Sequence, residues 1–450
     1  MQNENQNSME KIISLCKRRG FIFQGSEIYG GLAGTWDYGH LGGELVSKLK
    51  DSWWKQFVTT REDMYGIRAA ILMRSEVWEA SGHVAGFADP MVECTKCNHR
   101  FRADQLEDKE KCADCGGALG APRQFNMMFK TTIGAAEDSA SVSYLRPETA
   151  QGIFVNFKNT LDAYHPKLPF GMAQIGKAFR NEITPRDFIF RCREFEQMEL
   201  EYFTNESEWE THFEHFRSEM LSWMESVGID MSKVHELEVG KDDLAHYSKR
   251  TIDFEFDYPF GRKELFGLAY RGDFDLTNHK LDYFDETTSE RSVPHVIEPS
   301  FGVDRALLAV LLSAYREDPV RNDDSSDESV SNGAGGESRV YLKFKPSIAP
   351  VLCAVSPLLK NKPELVEKAR TVFTMLKKEF GNVMWDDNGN IGKRYRRQDE
   401  IGTPFCIVID FDTLGENKEL EGTVTIRHRD SGEQDRVAIS GLIEKIKESL

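Results

Sequence analysis

Long hydrophobic runs are absent from this sequence of 450 residues. The longest candidate, 306–312, has the length of a buried helix segment and falls far short of the roughly 20 apolar residues that a membrane-spanning helix needs. The first residues, MQNENQNSMEKI, are polar and partly acidic, which fits neither a signal peptide nor a typical transit peptide. We therefore expect a cytoplasmic protein that makes no membrane contact.

An excess of positive charge is also missing. The chain has 57 Lys and Arg residues against 74 Asp and Glu residues, and its formal net charge is -17. This balance argues against a protein that coats nucleic acid through bulk charge, although it is compatible with local basic patches. The Ser, Cys and His residues form no convincing nucleophile triad, which argues against a covalent enzyme intermediate. With 40% hydrophobic residues, the length suffices for two or three domains with their own cores.

The stretch 174–203, QIGKAFRNEITPRDFIFRCREFEQMELEYF, predicts an antiparallel hairpin whose turn contains Pro185 and Asp187. Side chains alternate along a strand, so one side of the first strand carries Gly176, Ala178 and Arg180, and one side of the second carries Arg191, Arg193 and Phe195. Small residues leave floor space, arginines offer planar donors for phosphate or carboxylate, and Phe195 offers a ring on which a base can stack. A solvated outer face is the alternative, but the composition of this face favours a nucleotide site.

Phe-Arg-Asn-Glu, a short loop and Arg-Cys-Arg-Glu-Phe resemble motif 2 of the class II aminoacyl-tRNA synthetases. The continuation Glu-Gln-Met-Glu-Leu-Glu-Tyr-Phe is similar to the version found in glycyl-tRNA synthetases. The resemblance implies that Arg180 holds the α-phosphate of ATP, that Glu182 meets the adenine edge and that Phe195 stacks on the base. It makes Arg180, Glu182 and Arg305 the catalytic residues.

The same resemblance implies two sets of binding residues. The ATP-binding set is Arg180, Asn181, Glu182, Phe190, Arg191, Cys192, Arg193, Glu194, Phe195, Glu264, Leu265, Gly302, Val303, Asp304 and Arg305. The glycine-binding set is Arg102, Glu148, Phe195, Glu196, Gln197, Met198, Glu199, Arg271, Glu298, Pro299, Ser300, Phe301 and Gly302.

Two Cys-x-x-Cys pairs, Cys94 with Cys97 and Cys112 with Cys115, are spaced to bring four thiolates around one tetrahedral metal ion. They predict structural zinc, with a metal-free remnant or an iron–sulfur cluster as alternatives. A disulfide framework does not suit a reducing cytosol. We interpret the neighbouring His83 and His99 as surface or capping histidines.

Further motifs extend the resemblance along the chain. Arg-Pro-Glu-Thr-Ala-Gln-Gly at 146–152 is characteristic of the glycyl family and implies that Glu148 lies in the substrate site. In HVIEPSFGVDRALLAVLLSAY we predict a strand at 295–298, a turn at 299–302 and then an apolar helix that carries Arg305. By resemblance this is motif 3, in which Arg305 closes over the adenine and the γ-phosphate. A buried arginine paired with a carboxylate is the alternative for Arg305.

The N-terminal part predicts a helix at 9–19 and, after a glycine-rich entry, a second helix at 42–58. This string is similar to motif 1 of the glycyl family, which forms the class II dimer interface, and it implies a homodimer. The chain departs from the general motif because Ile71-Leu72-Met73-Arg74 stands where the class II strand ends in proline. A further helix at 206–227 carries an apolar stripe that we interpret as a packing face.

A run rich in Asp, Ser, Gly and Asn at 319–338 predicts a flexible acidic linker between a catalytic domain, 1–318, and a C-terminal domain, 339–450. In the second domain, strands at 348–355, 383–385 and 405–411 and a helix at 363–380 predict a small, mostly parallel sheet. Its cationic segment usually indicates a solvated charge run. The segment also resembles the anticodon-binding domain shared by glycyl, histidyl, prolyl and threonyl synthetases, which implies tRNA contacts by Lys393, Arg394, Arg396 and Arg397.

The fold class implied is α/β. An α+β catalytic domain has an antiparallel sheet flanked by helices and a four-cysteine zinc insertion at 91–120, and an α/β anticodon-binding domain follows. The resemblance implies ATP-dependent attachment of glycine to the 3′ end of tRNA(Gly) through glycyl-adenylate, with Mg²⁺ accompanying ATP and Zn²⁺ as a structural ion. The alternatives are another class II synthetase, of the histidyl, prolyl or threonyl type, or a non-catalytic synthetase-like subunit that binds nucleic acid. Retention of the phosphate-binding arginines argues against the last.

Overall fold

The computed structural model describes residues 2–134, 142–319 and 338–450. The helices are α1 (Gln2–Arg19), α2 (His40–Trp54), α3 (Ser75–Ala80), α4 (His83–Gly86), α5 (Ala150–Phe154), α6 (Phe157–Tyr164), α7 (Trp209–Ser226), α8 (Phe274–Asn278), α9 (Val303–Ala314), α10 (Pro363–Phe380), α11 (Ile391–Ile401) and α12 (Leu442–Lys447). The strands are β1 (Ile22–Gln24), β2 (Trp36–Tyr38), β3 (Met64–Gly66), β4 (Leu72–Arg74), β5 (Ala88–Glu93), β6 (Arg100–Arg102), β7 (Arg123–Asn126), β8 (Lys130–Thr132), β9 (Val142–Leu145), β10 (Phe170–Phe179), β11 (Glu194–Thr204), β12 (Val234–Glu238), β13 (Arg250–Tyr258), β14 (Gly261–Gly272), β15 (Tyr283–Asp285), β16 (Glu290–Ser292), β17 (His295–Gly302), β18 (Tyr315–Pro319), β19 (Ser338–Leu342), β20 (Cys353–Pro357), β21 (Val383–Trp385), β22 (Phe405–Ile409), β23 (Thr423–His428) and β24 (Gln434–Ala438).

A seven-stranded sheet with the order β12-β13-β14-β17-β11-β10-β3 forms the centre of the N-terminal part. All neighbouring strands are antiparallel except β3 and β10, which are parallel. The predicted hairpin is confirmed as β10 and β11, in which Gln174 faces Glu199 and Ala178 faces Phe195. The antiparallel sheet flanked by helices that the sequence predicted is therefore present.

The two faces of this sheet differ because side chains alternate along β11. Met198 and Leu200 point into the larger hydrophobic core, where α2, α7 and α9 pack. Phe301 of β17 lies in the same core, with its ring centroid 5.9 Å from Trp53 and 5.4 Å from Trp223. The opposite face carries the polar side chains of the candidate site and a smaller apolar cluster next to α5 and α6.

Helix α7 confirms the predicted packing face, since Phe213, Phe216, Met220 and Trp223 are fully buried. The second predicted helix is also present and begins at His40, but its last turn, Lys55–Thr59, is a π-helix. The predicted turn at 299–302 is wrong. Strand β17 continues to Gly302 because it is paired with β11 on one side and with β14 on the other, and α9 follows directly.

The C-terminal sheet has the order β21-β20-β22-β23-β24. Strands β21, β20 and β22 are parallel, as predicted. Strands β23 and β24, which the sequence analysis did not identify, extend the sheet beyond β22 with antiparallel pairing. Helix α10 begins and ends where it was predicted. Most of the predicted linker, residues 320–337, lies outside the described residues, and the segments before and after it pair as β18 and β19.

The central sheet and the C-terminal sheet have separate hydrophobic cores, but residues on the C-terminal side of the predicted boundary, including Ile401, also pack in the core of the central sheet. Leu342, Phe344 and Val351 belong to the same core as the central sheet, whereas Leu352 and Cys353 begin the core of the C-terminal sheet.

Among the helices that the structure describes, none is both long and apolar enough to cross a membrane.

Candidate active site

A cavity of about 470 Å³ lies on the polar face of the central sheet, above β11, β17 and β14. Most of the residues predicted from the sequence come together here. Those lining the cavity are Arg102, Glu148, Arg180, Glu182, Phe190, Arg191, Cys192, Phe195, Gln197, Glu199, Glu264, Leu265, Glu298, Ser300, Gly302, Asp304 and Arg305.

Other predicted contact residues have different surroundings because strand alternation turns their side chains away. Met198, Phe301 and Val303 lie in the hydrophobic core, and Glu196 pairs with Lys50 at 3.1 Å. These side chains do not line the cavity, and their predicted substrate or ATP contacts stay predictions. Pro299 is buried within β17, opposite Leu268 of β14.

Residues flanking the hairpin loop serve mainly to shape it. The Arg193 guanidinium donates to the backbone carbonyls of Ala33 and Glu182, at 2.9 Å and 3.1 Å, so it braces the loop instead of facing the cavity. The Asn181 backbone N–H donates to the Met127 carbonyl at 2.7 Å, and Glu194 is exposed and pairs with Lys177.

Arg180 occupies the position expected for a phosphate ligand. Its guanidinium carbon lies 5.3 Å from the ring centroids of both Phe87 and Phe195, so two aromatic faces hold it in place. Its Nε donates to the Pro147 carbonyl at 3.1 Å, the one hydrogen bond of this guanidinium to a described residue that the structure contains. The remaining N–H groups are thus available for an anionic ligand.

Arg305 defines another part of the cavity wall. Its guanidinium lies 4.5 Å from the Phe190 ring centroid and 3.0 Å from a carboxylate oxygen of Glu264. The charge of Arg305 lowers the pKa of Glu264, so this carboxyl is ionised at neutral pH. Arg305 therefore pairs with a carboxylate, as the alternative interpretation expects, and also faces the cavity, as a role in nucleotide binding requires.

Glu199 and Ser300 lie opposite each other in the paired strands β11 and β17. One Glu199 oxygen accepts hydrogen bonds from the backbone N–H and hydroxyl of Thr149. The other accepts from Ser300 Oγ at 2.8 Å and from Gln197 Nε2 at 3.3 Å. Burial, reinforced by the charge of Glu148, raises the pKa of Glu199.

Glu148 is held by His83, whose Nε2 lies 3.2 Å from its carboxylate, and by Gln151, whose Nε2 donates at 3.1 Å. Burial opposes its ionisation, but His83 and Arg271 keep the pKa of Glu148 well below its usual range. The interpretation of His83 as a surface residue was wrong, since only 4% of it is exposed. His99 is exposed and pairs with Asp114.

Arg271 lies beneath this acidic region and is itself 1% exposed. It donates to Asp275 through two nitrogens and to Glu298 at 2.7 Å, and the Tyr247 ring lies 3.7 Å from its guanidinium carbon. It therefore neutralises part of the buried negative charge. Arg102 instead pairs with Asp89 and Asp104, at 2.7 Å and 2.8 Å.

The Arg146 side chain fills part of the open space that was predicted above the small residues of β10. A Cβ at Gly176 would lie 2.1 Å from Nη2 of Arg146, so glycine is required there to admit this guanidinium. Arg146 donates to the carbonyls of Lys177 and Ala69, at 2.6 Å and 3.1 Å. Arg146 is the first residue of the 146–152 motif, and the sequence alone indicated no role for it.

Asp304, implied as an ATP contact, also ties elements together. It accepts hydrogen bonds from the Tyr38 hydroxyl and, at 2.9 Å, from the Glu196 backbone N–H. Asp253 lines the cavity and was missed, as was Tyr247. Burial together with Glu264 and Glu255 raises the pKa of Asp253 to about 7. Alternation in β13 could have placed Asp253 on this face, but no motif singled it out.

The four predicted metal ligands come together at one end of the β5–β7 sheet. The sulfur atoms of Cys94 and Cys115 lie 3.5 Å apart, those of Cys97 and Cys112 lie 3.7 Å apart, and all four lie within 4.8 Å of one another. Tetrahedral Zn–S bonds of about 2.3 Å require sulfur–sulfur distances of about 3.8 Å. These residues therefore fit a closed zinc site.

The predicted tRNA-contacting cations lie on α11 and fall into two groups. Lys393 and Arg396 are exposed. Arg394 is 3% exposed and donates to the carbonyls of Pro357, Asp387 and Gly389, so its guanidinium is engaged within the protein and its predicted RNA contact stays a prediction. Arg397 is half-buried and pairs with Asp386.

Comparison with known proteins agrees with this architecture. Residues 129–315 match the family model of the tRNA synthetase class II core domain (G, H, P, S and T), and residues 352–449 match the anticodon binding domain. The glycine–tRNA ligase of Treponema denticola is 47% identical, with 98% of this chain and 96% of the relative aligned. That of Deinococcus radiodurans is 44% identical, with 98% and 99% aligned, and that of Clostridium tetani is 47% identical, with 98% of each aligned. This chain belongs to the glycine–tRNA ligase family of class II aminoacyl-tRNA synthetases.

Proposed function

We propose that the chain activates glycine with ATP and transfers the glycyl group to the 3′ end of tRNA(Gly). One observation carries this assignment. A single cavity combines an arginine held between two aromatic rings with a buried acidic region formed by Glu148 and Glu199. The first suits the phosphates of ATP, and the second suits the ammonium group of a small amino acid.

In the first step the glycine carboxylate attacks the α-phosphate of Mg²⁺-ATP, and pyrophosphate leaves. Arg180 stabilises the charge that develops on the phosphate oxygens, and Arg305 covers the nucleotide at the other wall. Catalysis rests on positioning and electrostatic stabilisation, so no protein nucleophile is required. In the second step the terminal ribose hydroxyl of the tRNA takes the glycyl group from the adenylate.

Selection of glycine follows from the surroundings of Glu199. A pocket cannot gain binding energy from a side chain that is absent, so it must exclude larger amino acids while holding the ammonium group. Thr149, Gln197 and Ser300 fix both oxygens of Glu199, which makes this carboxylate a rigid wall. Glu148, fixed by His83 and Gln151, forms a second acidic group of the pocket.

We propose that the part of the chain after 351 binds the anticodon region of the tRNA. The family match of residues 352–449 supports this role, and the exposed Lys393 and Arg396 are the side chains best placed for phosphate contact. Arg394 and Arg397 shape the loop that precedes α11. The division into a catalytic domain, 1–318, a linker, 319–338, and a C-terminal domain, 339–450, stays part of the proposal, and the family match of residues 352–449 lies within the C-terminal domain.

The four-cysteine site is proposed to bind one structural Zn²⁺. Cys94, Cys97, Cys112 and Cys115 would complete the tetrahedral coordination, so the ion would hold the insertion together without contacting substrate. The insertion contacts the active-site hairpin, since Arg186 donates to Gln105 at 3.0 Å, and it carries Arg102 into the cavity wall. Zinc thus acts on activity through the position of this wall.

A homodimer and a cytoplasmic location complete the proposal. In the region that resembles motif 1, Ile28 is 87% exposed and Tyr29 is 86% exposed, and Leu32 and Leu72 are also exposed. Burial of such apolar groups in a second copy of the chain would be favourable. Light scattering at several protein concentrations tests whether the chain forms a dimer.

The proposed cytoplasmic location is supported by the thiolate metal ligands, which suit the reducing cytosol.

ATP–pyrophosphate exchange measured with each of the twenty amino acids tests the assignment. Glycine alone should support rapid exchange, and Arg180→Ala should abolish it while the protein stays folded. Exchange with histidine, proline or threonine would favour another class II synthetase. Absence of exchange with every amino acid would favour the non-catalytic alternative.

A further inference from the structure

Glu201 is a buried carboxyl group to which the reaction described above gives no role. It follows Glu199 on the same face of β11 and is 0% exposed. Neither of its carboxyl oxygens has a hydrogen-bond partner within the part of the chain that the structure describes. A buried charge without a partner is strongly unfavourable, so this group requires an explanation.

The strand register places Glu201 next to a second carboxylate. Since Glu199 faces Ser300 and Tyr202 faces Ile297, Glu201 stands across from Glu298 of β17. One oxygen from each of Glu199, Glu201 and Glu298 lies within 4.8 Å of the others.

Among the described residues, too few cations act on Glu199, Glu201 and Glu298 to balance three negative charges. On the other side of β11, Glu201 faces the apolar Met172 of β10. The nearest guanidinium, Arg271 of β14, is committed to Glu298 and to Asp275 of α8. The charged and titratable groups that act on Glu201 from the surrounding elements are Glu199, Arg271, Asp275 and Glu298.

Like charges placed across a strand pair destabilise it unless one of them is neutralised. Burial raises the pKa of Glu298 to about 8 and raises that of Glu201 well above its usual range, so the ligand-free pair holds at least one proton at neutral pH. Glu298 has Arg271 to stabilise its ionised form, and Glu199 has four hydrogen-bond donors. Glu201 has neither kind of support, so the shared proton belongs on Glu201.

We propose that Glu201 is a neutral, protonated positioning residue whose O–H donates to Glu298 and favours the ionised form of that carboxylate at the glycine end of the cavity. The inference rests on the proposed function for its role in catalysis. One oxygen of each group lies within 4.8 Å of the other, so the proposed hydrogen bond requires a change in the side-chain torsions of Glu201. Glu199 and Glu298 line the cavity, whereas Glu201 is not among its lining residues, so its role is to position Glu298.

Infrared difference spectroscopy of the resting enzyme is the direct test, because it does not depend on activity. The wild type should show the carbonyl band of a buried protonated carboxyl group at neutral pH, and Glu201→Gln should remove it. Glu210→Gln, at an exposed position on α7, is the matched control and should leave the band intact. A difference confined to ionised carboxylate bands would overturn the proposal.

Kinetics give the second test. Glu201→Gln keeps the shape and a donor, so its kcat/KM for glycine in pyrophosphate exchange should stay within about threefold of wild type, whereas Glu201→Ala should lose about tenfold or more. In Glu201→Ala the limb of the pH profile that reports ionisation of Glu298 should also move to higher pH, since a donor is lost. A merely structural role would lower stability without moving this limb.

Two results would contradict the inference. Equal losses in both variants would mean that Glu201 acts as an anion, for instance as a cation ligand, and wild-type kinetics in Glu201→Ala would mean that it positions nothing. If Glu201→Ala does not fold, the infrared band and Glu201→Gln still decide. Failure of the proposed function appears separately, as a wild-type enzyme that supports no glycine-dependent exchange.

Discussion

Ser300 of β17 donates a hydrogen bond of 2.8 Å to Glu199 of β11, directly across the strand pair. The two side chains that we assign to glycine selection are thus coupled, and Ser300 contributes by fixing Glu199 as well as by occupying space. In the function that we propose, the fixed carboxylate would accept the ammonium group of glycine and exclude a methyl group beside it.

Replacing Glu199 with Ala should have two separable effects. Glycine activation should weaken by roughly 2 kcal/mol or more, because a charge-assisted hydrogen bond to the ammonium group is lost. The space created should also lower discrimination against alanine, measured as the ratio of the two exchange efficiencies. Glu199→Gln is the matched control, since it removes the charge and keeps the volume, so its discrimination should be largely retained. An unchanged ratio in Glu199→Ala would move the steric gate elsewhere.

The titration of Asp253 predicts a pH-dependent stability. Unfolded Asp has a pKa of about 3.9, whereas burial with Glu264 and Glu255 raises the pKa of Asp253 to about 7 in the folded chain. The folded state therefore binds more protons between these values, and the contribution of Asp253 to stability is present at low pH and is lost as the pH rises through about 7.

Asp253→Asn removes this titration. It should raise the free energy of unfolding by about 1 kcal/mol at alkaline pH, since the side chain is only partly buried, and have little effect in acid. Urea unfolding of the ligand-free protein at several pH values measures the difference. A gain that stays constant with pH would show that Asp253 does not titrate in this range.

Cys112→Ser should release the metal and loosen the insertion that carries Arg102. Elemental analysis should find one zinc per wild-type chain and less in the variant, and exchange activity should fall by more than the loss of folded protein explains. Cys353→Ser, at a buried cysteine of the C-terminal sheet that lies outside the cluster and the cavity, controls for the loss of a thiol. Carefully purified wild-type protein without metal would defeat the zinc assignment.

Substitution on α11 should separate tRNA charging from amino-acid activation. Lys393→Ala with Arg396→Ala should raise the KM for tRNA severalfold and make this KM less dependent on salt, because phosphate contacts are lost, while glycine exchange stays unchanged. Arg394→Ala should behave differently and lower stability, because three backbone carbonyls lose a donor. If the double variant charges tRNA normally, α11 does not contact the RNA.

The sequence predicted local structure well where one element determines it. The hairpin β10–β11 followed from alternation and its turn residues, and α10 begins at Pro363 and ends before Gly381, as its apolar spacing and ends indicate. The turn expected at 299–302 failed because pairing with two neighbouring strands keeps Pro299 to Gly302 extended. Sheet neighbours distant in sequence are invisible to a local pattern.

Site residues show the same limit. Motif resemblance identified Glu148 and Arg180, yet it gave no indication that His83 would hold Glu148 or that Arg146 would fill the space above Gly176. Those contacts depend on tertiary packing. Packing also determines which cations of α11 reach the surface. One face of the helix is buried, so Arg394 points into the protein while Lys393 is exposed.

A single-turnover experiment tests the central claim, activation and transfer through one cavity, most directly. Enzyme mixed with labelled glycine and Mg²⁺-ATP, without tRNA, should accumulate one bound glycyl-adenylate per active site. Addition of tRNA(Gly) with excess unlabelled glycine should then convert this adenylate into labelled glycyl-tRNA. Absence of the bound adenylate, or an adenylate that tRNA(Gly) does not consume, would contradict the account.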